Sequence, residues 1–313
     1  MAERTEDRDI LLHGIHVIDG GLASELEYLG ARIDGPLWSA HVLEYEPEKV
    51  AAVHRAFIQA GSQCIATCSY QVSRMGYAEI GLPSERADAA LLRSVALARA
   101  VVAEFPNRRV LVAASLGPYG AALHNGAEYT GNYDCSYTDL VHFHRERVEI
   151  LARATGPQAP DLLAFETFPS LEEVCAVGEA LAPWPALKAW FSFSCRDENH
   201  VSHGEPLAEC AATVAAFPQT VAIGVNCVPP RWLPSLIAVL RSASDKPVLV
   251  YPNSGEGWDA SARCWKGTTD PSDFGEKAKE WFAAGALIVG GCCRTRPAHI
   301  HAVAKAAAQI ESR

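Results

Sequence analysis

Apolar runs typical of buried strands alternate with helical patterns along the whole chain. Eight of these runs have the nearly continuous apolar character of parallel strands that are covered on both faces. They span residues 16–19, 63–68, 109–115, 161–167, 187–194, 220–227, 247–252 and 286–292. Eight β/α repeats without a break in composition predict a single (β/α)8 TIM-type barrel over residues 1–313, with an open doubly wound sheet as the alternative.

Helical patterns lie between and after these runs. They fall near residues 48–60, 84–105, 136–154, 170–182, 205–216, 231–243, 271–284 and 297–311. Ser170 and Glu173 have the spacing of a capping box, and Pro297 suits the first turn of the last helix. Residues 118–135 form a long Gly/Tyr/Asn-rich segment. Loops of that length inside compact domains are often functional.

Composition and charge restrict the partners that this chain can have. The formal net charge is −10 and no basic stripe is present, which argues against nucleic acid or an anionic membrane as a partner. The N-terminus lacks the apolar stretch of a secretory signal, and no uncharged apolar run approaches the roughly 18 residues of a membrane span. We therefore expect a cytoplasmic protein, a monomer or weak homo-oligomer, in which the ten cysteines remain reduced.

Polar side chains close each apolar run. In a barrel of this type the chemistry lies at the C-terminal ends of the strands. The residues at those ends are Asp19, Thr67, Ser115, Glu166, Ser194, Asn226 with Cys227, Asn253, and Cys292 with Cys293. Polar residues mark strand ends in many proteins, but a set that includes two carboxylates and three thiols indicates a functional site.

The three thiols at the strand ends have a spacing that suits a metal ion. Cys227 ends the sixth run, whereas Cys292 and Cys293 end the eighth, about 9–10 Å away across the sheet. Neighbouring side chains on a regular strand point to opposite faces, so both cysteines can face one ion only where the strand is broken. The two glycines at 290–291 supply the freedom to bend it. Buried structural cysteines and a vicinal disulfide are the alternatives.

Three thiolates without an obvious fourth protein ligand favour a catalytic zinc with an open position over a structural zinc site. Zn²⁺ with three thiolates carries a charge of −1, which makes it poor at activating water. A thiol that coordinates such an ion is deprotonated outright and remains nucleophilic. The site therefore predicts alkyl transfer from a cationic onium group to a thiol. The alternatives are a barrel that binds or senses thiols without catalysis, and a metal hydrolase, which would prefer His and carboxylate ligands.

Several long blocks of the sequence resemble a known enzyme family. They include "VIDGGLASELE", "ATCSYQVS", "SLGPYGAALHNGAEYTGNY", "FETFPSLEE", "GVNCVPP" and "GGCCRTRPAHI". These blocks resemble the homocysteine S-methyltransferases, in particular the single-domain branch that uses S-methylmethionine or S-adenosylmethionine. The resemblance implies an enzyme that methylates homocysteine to methionine with one Zn²⁺ on Cys227, Cys292 and Cys293. Methylation of another thiol or selenol, such as selenocysteine, remains an alternative.

The resemblance also implies where homocysteine binds. Asp19 and Glu166 match the family carboxylates that hold the ammonium group of the amino acid. The Gly20–Gly21 turn and Thr67 match the elements that bind its carboxylate through backbone N–H groups. The predicted substrate residues are Asp19, Gly20, Gly21, Thr67, Glu166, Asn226 and Asn253, the last two because they lie in matching blocks.

Two aromatic residues, Trp38 and Tyr70, are candidates for the methyl-donor pocket at the barrel mouth. A methyl sulfonium is a permanent cation, and an aromatic face attracts a cation through the ring quadrupole. The alternative is that Trp38 only packs its loop against the barrel. Two departures from the family pattern fall near this pocket: Cys68 stands where a smaller residue is expected, and "HNGAEYTG" is less acidic than the family loop.

Overall fold

Seven parallel strands form one curved sheet in the computed structural model, which describes residues 11–33, 37–259, 264–266 and 270–311. Each strand pairs with the next one of the sheet along the chain. The strands are β1 (Cys64–Ala66), β2 (Leu111–Leu116), β3 (Leu162–Phe168), β4 (Ala189–Phe193), β5 (Thr220–Asn226), β6 (Val248–Tyr251) and β9 (Ile288–Val289). A separate antiparallel hairpin, which the sequence did not predict, consists of β7 (Gly257–Asp259) and β8 (Cys264–Lys266).

An eighth strand position closes this sheet into a barrel. Val17 forms a parallel bridge with Val289 of β9, and Ile18 forms one with Cys64 of β1. The Gln63 amide donates to the Val17 carbonyl at 2.8 Å, and the Asp19 amide donates to the Cys64 carbonyl at 3.1 Å. Backbone pairing therefore continues around all eight strand positions, which confirms the (β/α)8 barrel and excludes the open sheet.

The helices surround this barrel. Eight of them lie within two residues of the predicted ends: Pro47–Ala60, Ser84–Ala103, Tyr137–Ala152, Leu171–Leu181, Leu207–Ala215, Leu233–Ala243, Pro271–Ala284 and Pro297–Glu311. Short helices that the sequence did not predict are Leu22–Tyr28, Ser39–Tyr45, Arg74–Glu79 and Tyr119–Ala122, with 3-10 turns at Ala127–Tyr129, Gly156–Gln158 and Pro230–Trp232. Within the described ranges, no helix is long and apolar enough to cross a membrane.

The two predicted helix starts have different outcomes. Pro297 is the first residue of the last helix, as expected. The Ser170 hydroxyl accepts a hydrogen bond from the Glu173 amide at 3.3 Å, so half of the predicted capping box forms. The reciprocal half does not form, because the Glu173 carboxylate is turned away and accepts hydrogen bonds from Tyr133 and His144 instead.

Strand side chains alternate between two apolar layers, as the two-residue period of a strand requires. Val112 and Ala114 of β2 pack outward against the helices, whereas Leu111 and Ala113 point into the barrel. The inner layer also contains Ile18, Cys64, Leu162, Ala164, Trp190, Ala222, Leu249 and Ile288. These side chains fill the lower barrel, so any ligand must bind above them at the C-terminal ends of the strands.

Candidate metal centre and substrate site

The inward-facing positions change from apolar to polar at the C-terminal ends of the strands. Each polar residue follows an inward apolar residue or glycine at a distance of two, so the strand period itself aims it into the barrel mouth. These residues are Ser115, Glu166, Ser192, Asn226 and Tyr251, and all of them are buried. The upper layer of the barrel is therefore a polar floor, on which the predicted site residues stand.

Three thiols meet above this floor. The sulfur atoms of Cys227, Cys292 and Cys293 all lie within 4.8 Å of one another, and those of Cys227 and Cys293 are 3.5 Å apart. Zn–S bonds of about 2.3 Å in a tetrahedral site place two sulfurs about 3.8 Å apart. The cluster therefore fits a single metal ion, and its soft thiolate donors suit zinc.

The broken strand predicted at the adjacent cysteines is confirmed. Strand β9 ends at Val289, so Cys292 and Cys293 lie in a loop where neighbouring side chains need not alternate. The loop is held by hydrogen bonds from the Cys292 amide to the Pro252 carbonyl at 2.7 Å and from the Ser254 amide to the Cys293 carbonyl at 3.0 Å. The loop after β6 therefore fixes the backbone of both cysteines.

The role predicted for the two glycines before these cysteines is wrong. Neither has a left-handed backbone; the left-handed residues at the cluster are Cys227 and Arg294, with φ of 55° and 65°. A Cβ on Gly290 would lie 2.3 Å from Ile18, and one on Gly291 would lie 2.3 Å from Thr295. Both glycines therefore allow close packing of the first strand position and the last loop, whereas other residues make the turns.

The three thiols share protons unequally when no metal is bound. Hydrogen bonds from the Cys292 and Cys293 thiols lower the pKa of Cys227, and the Tyr129 hydroxyl, 3.1 Å from the Cys227 sulfur, acts in the same direction. Their hydrogen bonds with Cys227 raise the pKa of Cys292 and of Cys293. These hydrogen bonds favour the thiolate form at Cys227, and binding of a metal ion releases the protons that the thiols carry.

Asn226, the last residue of β5, connects the thiols to the polar floor. Its side-chain oxygen accepts from the Thr167 amide at 2.8 Å and the Ser192 hydroxyl at 2.7 Å, and its nitrogen donates to the Thr167 hydroxyl at 2.7 Å. The same nitrogen lies 4.0 Å from the Cys292 sulfur. The amide is therefore fixed on both sides, which places the next residue, Cys227, in the mouth of the barrel.

Two buried carboxylates face the same mouth. Glu166 accepts hydrogen bonds from the hydroxyls of Ser115 and Tyr251, the latter at 3.1 Å. Burial nevertheless raises the pKa of Glu166 to about 7. Asp19 accepts a hydrogen bond from the Ala66 amide at 2.9 Å, but burial and the charge of Glu166 raise its pKa well above the usual range. Because each charge opposes the other, a cation between them stabilises the ionised form of both.

The other predicted substrate residues take different places. Gly20 packs against Phe57, and the amide of Gly21 donates to the carbonyl and hydroxyl of Thr295 at 3.2 and 3.0 Å. The Thr67 hydroxyl accepts from the Ser115 amide at 3.1 Å and contacts the Ser69 hydroxyl. Gly21 and Thr67 thus already have partners within the protein, and their assignment to substrate stays a prediction.

Asn253 keeps an acceptor open at the cluster. Its side-chain nitrogen donates to the Cys227 carbonyl at 3.2 Å. Its side-chain oxygen is buried and has no hydrogen-bond partner among the residues that the structure describes. A buried acceptor without a donor is costly, so this oxygen is suited to a group on a bound molecule.

The two aromatic residues predicted for the donor pocket lie together. The ring centroids of Trp38 and Tyr70 are 6.3 Å apart at an interplanar angle of 64°. Burial raises the pKa of Tyr70, and a side-chain hydrogen bond joins it to Thr167. The unexpected Cys68 thiol donates to the Ser39 carbonyl at 3.3 Å, next to Trp38. The sequence departure at Cys68 therefore connects the two segments that carry the aromatic pair.

Besides Ser192 and Tyr251 of the polar floor, the sequence did not identify Glu128 and Tyr129, which come from the segment 118–135. This segment contains the helix Tyr119–Ala122 and the 3-10 turn Ala127–Tyr129. The turn brings the Tyr129 hydroxyl to the Cys227 sulfur, and the Ser194 hydroxyl donates to the Glu128 carbonyl at 3.1 Å. Loop length and composition marked the segment as functional, but no spacing indicated which side chains face inward.

A buried charged network anchors this segment to the barrel. The Glu173 carboxylate accepts from the Tyr119 amide, from the Tyr133 hydroxyl at 2.9 Å and from His144 Nε2 at 2.9 Å. His144 Nδ1 in turn accepts from Arg147 at 2.9 Å. Burial lowers the pKa of His144 to about 4, so the imidazole stays neutral. It forms hydrogen bonds with the Glu173 carboxylate on one side and with the Arg147 guanidinium on the other.

Comparison with known proteins gives the class of this barrel. Residues 16–307 match the model of the homocysteine S-methyltransferase family. The chain is 40% identical over 304 residues to the homocysteine S-methyltransferase YbgG of Bacillus subtilis and 42% identical over 304 residues to the homocysteine S-methyltransferase of Escherichia coli. Each comparison covers 95% of this chain and 95% of the relative. The chain belongs to the homocysteine S-methyltransferase family.

A solved structure shares the fold. The metallated form of the homocysteine methyltransferase MmuM from Escherichia coli superimposes with a TM-score of 0.83 at 39% sequence identity. The match covers 95% of this chain and 98% of that one. Both the barrel and the completeness of the match agree with the family assignment.

Glu173→Gln tests the anchoring network. We expect a loss of about 3 kcal/mol or more in the free energy of unfolding, because the amide leaves one buried donor without an acceptor and Arg147 without its counter-charge. Urea denaturation measures this. Glu179→Gln, on the same helix, is the control: its pair with Arg145 is half exposed at 3.3 Å and should cost less than about 1 kcal/mol. Equal losses in the two variants would contradict the network's role.

Proposed function

We propose that this protein transfers a methyl group from a sulfonium donor, S-methylmethionine or S-adenosylmethionine, to homocysteine and so forms methionine. One observation carries the proposal: three thiol sulfurs within 4.8 Å of one another stand beside two buried carboxylates, in a chain of this family. We further propose one Zn²⁺ per chain. Free thiols persist in a reducing compartment, so we propose that the protein is cytoplasmic. We also propose that it is a monomer or weak homo-oligomer and that its substrates are small molecules.

The metal site would keep the substrate sulfur in its nucleophilic, deprotonated form. Zn²⁺ held by Cys227, Cys292 and Cys293 would supply the positive charge that keeps a fourth, substrate sulfur deprotonated at neutral pH. The thiol of a free amino acid of this kind titrates near 8.5, so most of it would otherwise carry its proton. The chain itself contributes the orientation, because Asn226 and the loop after β6 fix the backbone of the three ligands.

Asp19 and Glu166 would hold the ammonium group of homocysteine. Each is buried, and burial raises the pKa of each, so both become stable as anions only when a cation joins them. An ammonium group supplies that cation together with three N–H donors. The open acceptor of Asn253, beside the thiols, would accept a further donor from the bound amino acid.

Trp38 and Tyr70 would hold the sulfonium of the donor. The homocysteine sulfur then attacks the methyl carbon, the bond from that carbon to the sulfonium sulfur breaks, and its electron pair remains on the departing thioether. The charges of thiolate and sulfonium cancel as the bond forms. An aromatic and partly buried surround favours this step, because less water is present to stabilise the separated charges.

A product assay tests the function. Zinc-loaded protein is incubated with homocysteine and either donor, methionine is quantified, and selenocysteine replaces homocysteine in a parallel reaction. We expect methionine with at least one donor and faster turnover of homocysteine than of selenocysteine. Tight binding of homocysteine without methionine from either donor would instead support a thiol-binding protein.

Each of Cys227→Ser, Cys292→Ser and Cys293→Ser should lose the zinc or bind it far more weakly. A serine hydroxyl is a poor replacement for a thiolate, and the remaining two sulfurs cannot hold the ion alone. Zinc content after dialysis, measured by elemental analysis, should fall from about one per chain to near zero. Cys175→Ser, which changes a half-buried cysteine outside the cluster, should keep its zinc. Full zinc in any cluster variant would remove that residue from the site.

Glu166→Gln should weaken homocysteine binding by about 1.5–3 kcal/mol, because a neutral amide loses the charge-assisted hydrogen bond to the ammonium group. The zinc content should not change. The readout is the KM for homocysteine at saturating donor, with Glu172→Gln, an exposed position on the following helix, as the control. An unchanged KM would show that Glu166 serves the barrel alone.

Trp38→Leu should raise the KM for the sulfonium donor and leave that for homocysteine unchanged. The expected cost is about 0.5–2 kcal/mol, the range for exposed to desolvated cation–π contacts. Trp184→Leu, a half-buried tryptophan in the turn before β4, controls for the loss of an indole. Equal changes in both KM values, or a loss of thermal stability alone, would assign Trp38 to packing.

A further inference from the structure

One carboxylate oxygen of Glu128, the Oε2 atom, has no hydrogen-bond partner among the described residues. The residue is half-buried in the 3-10 turn Ala127–Tyr129, and its Oε2 atom is buried. Across the part of the chain that the structure describes, no donor forms a hydrogen bond to this atom. A buried carboxylate oxygen without a donor costs more than a neutral acceptor in the same position, so the chain keeps this group at the expense of its own stability.

The 3-10 turn Ala127–Tyr129 brings Glu128 close to the thiol cluster. Its neighbour Tyr129 contacts the Cys227 sulfur at 3.1 Å, and its own carbonyl accepts from the Ser194 hydroxyl at 3.1 Å. The negative charge of Glu128 is also felt by Tyr70: after burial, it is the largest contribution that raises the pKa of that phenol. Glu128 therefore lies near both Cys227 of the thiol cluster and Tyr70 of the aromatic pair.

The charge of Cys227 connects the two sides of the site. As a thiolate it adds to the effect of burial, which raises the pKa of Glu128 and of Glu166 to about 7 in each case. Glu166 belongs to the polar floor, Asp19 lies at the end of the first strand position, and Glu128 lies in the 3-10 turn of the segment 118–135. The acceptor amino acid has one ammonium group, and Asp19 and Glu166 suffice to hold it. A third carboxylate therefore calls for a second cation.

The chemistry of the orphaned oxygen selects between the cations of the donor. A sulfonium sulfur has no hydrogen to donate, so it cannot satisfy an acceptor that lacks a hydrogen bond. An α-ammonium group has three N–H donors. Moreover, a carboxylate against the sulfonium would stabilise the donor before transfer more than during it, because the sulfonium charge disappears as the methyl leaves.

We propose that Glu128 binds the α-ammonium group of the methyl donor, so that the enzyme accepts sulfonium donors that are themselves α-amino acids. The inference rests on the proposed methyl transfer and deepens it. S-Methylmethionine and S-adenosylmethionine both carry this group, and a simple dialkyl sulfonium or a betaine does not. Glu128 thereby acts in binding and specificity, while Trp38 and Tyr70 face the sulfonium.

Glu128→Gln tests the proposal. Zinc-loaded wild type and variant are titrated calorimetrically with S-methylmethionine and with its analogue that lacks the α-amino group. The variant should bind S-methylmethionine roughly 10- to 100-fold more weakly, the loss expected for a charge-assisted hydrogen bond. The analogue should bind both proteins equally, and the affinity for homocysteine should change by less than about twofold. Glu198→Gln, at an exposed loop position, controls for the loss of one negative charge.

The outcomes separate this inference from the proposed function. If Glu128→Gln binds S-methylmethionine like wild type, or loses the deaminated analogue to the same extent, Glu128 does not hold the ammonium group. If homocysteine binding falls instead, the carboxylate belongs to the acceptor, and the inference is overturned. Failure of the wild type to form methionine from either donor would overturn the function itself, irrespective of the behaviour of the variant.

Discussion

A chain of buried hydrogen bonds across the top of the barrel fixes the positions of the other residues of the site. It runs from Glu166 through the hydroxyls of Tyr251 and Ser192 to the side chain of Asn226. Each member lies on a different strand and each is buried, so the loss of one leaves the next without a partner. The position of Cys227, directly after Asn226 on β5, is thereby tied to the position of a carboxylate on β3, two strands away in the sheet.

The electrostatics of the site follow from this arrangement. The barrel mouth contains three carboxyl groups, those of Asp19, Glu128 and Glu166, together with the three thiols. These groups carry a large negative charge when they ionise, and burial raises the pKa of each carboxyl group. Nearby cations stabilise the ionised form of these buried groups. A bound metal ion and the cationic groups of the proposed substrates would offset these negative charges.

Sequence patterns predicted the barrel, its eight major helices and the thiol cluster, because these depend on strand periods and on residues that end strands. The patterns gave the wrong reason for the broken last strand, since a glycine that allows close packing cannot be told from one that makes a turn until the neighbours are known. Tyr251 was not predicted as a site residue, because it lies within an otherwise apolar strand. Glu128 and Tyr129 were hidden because an irregular loop has no period to show which side chains face inward.

Two different hydrogen-bond networks hold the strand ends and the loop segment 118–135 in place. The residues proposed to bind homocysteine lie at strand ends, where the two-residue period and the hydrogen-bond chain orient the side chains. Glu128, which is proposed to bind the donor, lies in the segment 118–135, and the buried network of Glu173, His144 and Arg147 anchors that segment. We expect substitution of Glu128 to leave the strand network intact, because the two networks share no residue, whereas Tyr129 of the same turn contacts the Cys227 sulfur directly. We therefore expect the strands to determine acceptor binding and the anchored loop to contribute to donor binding.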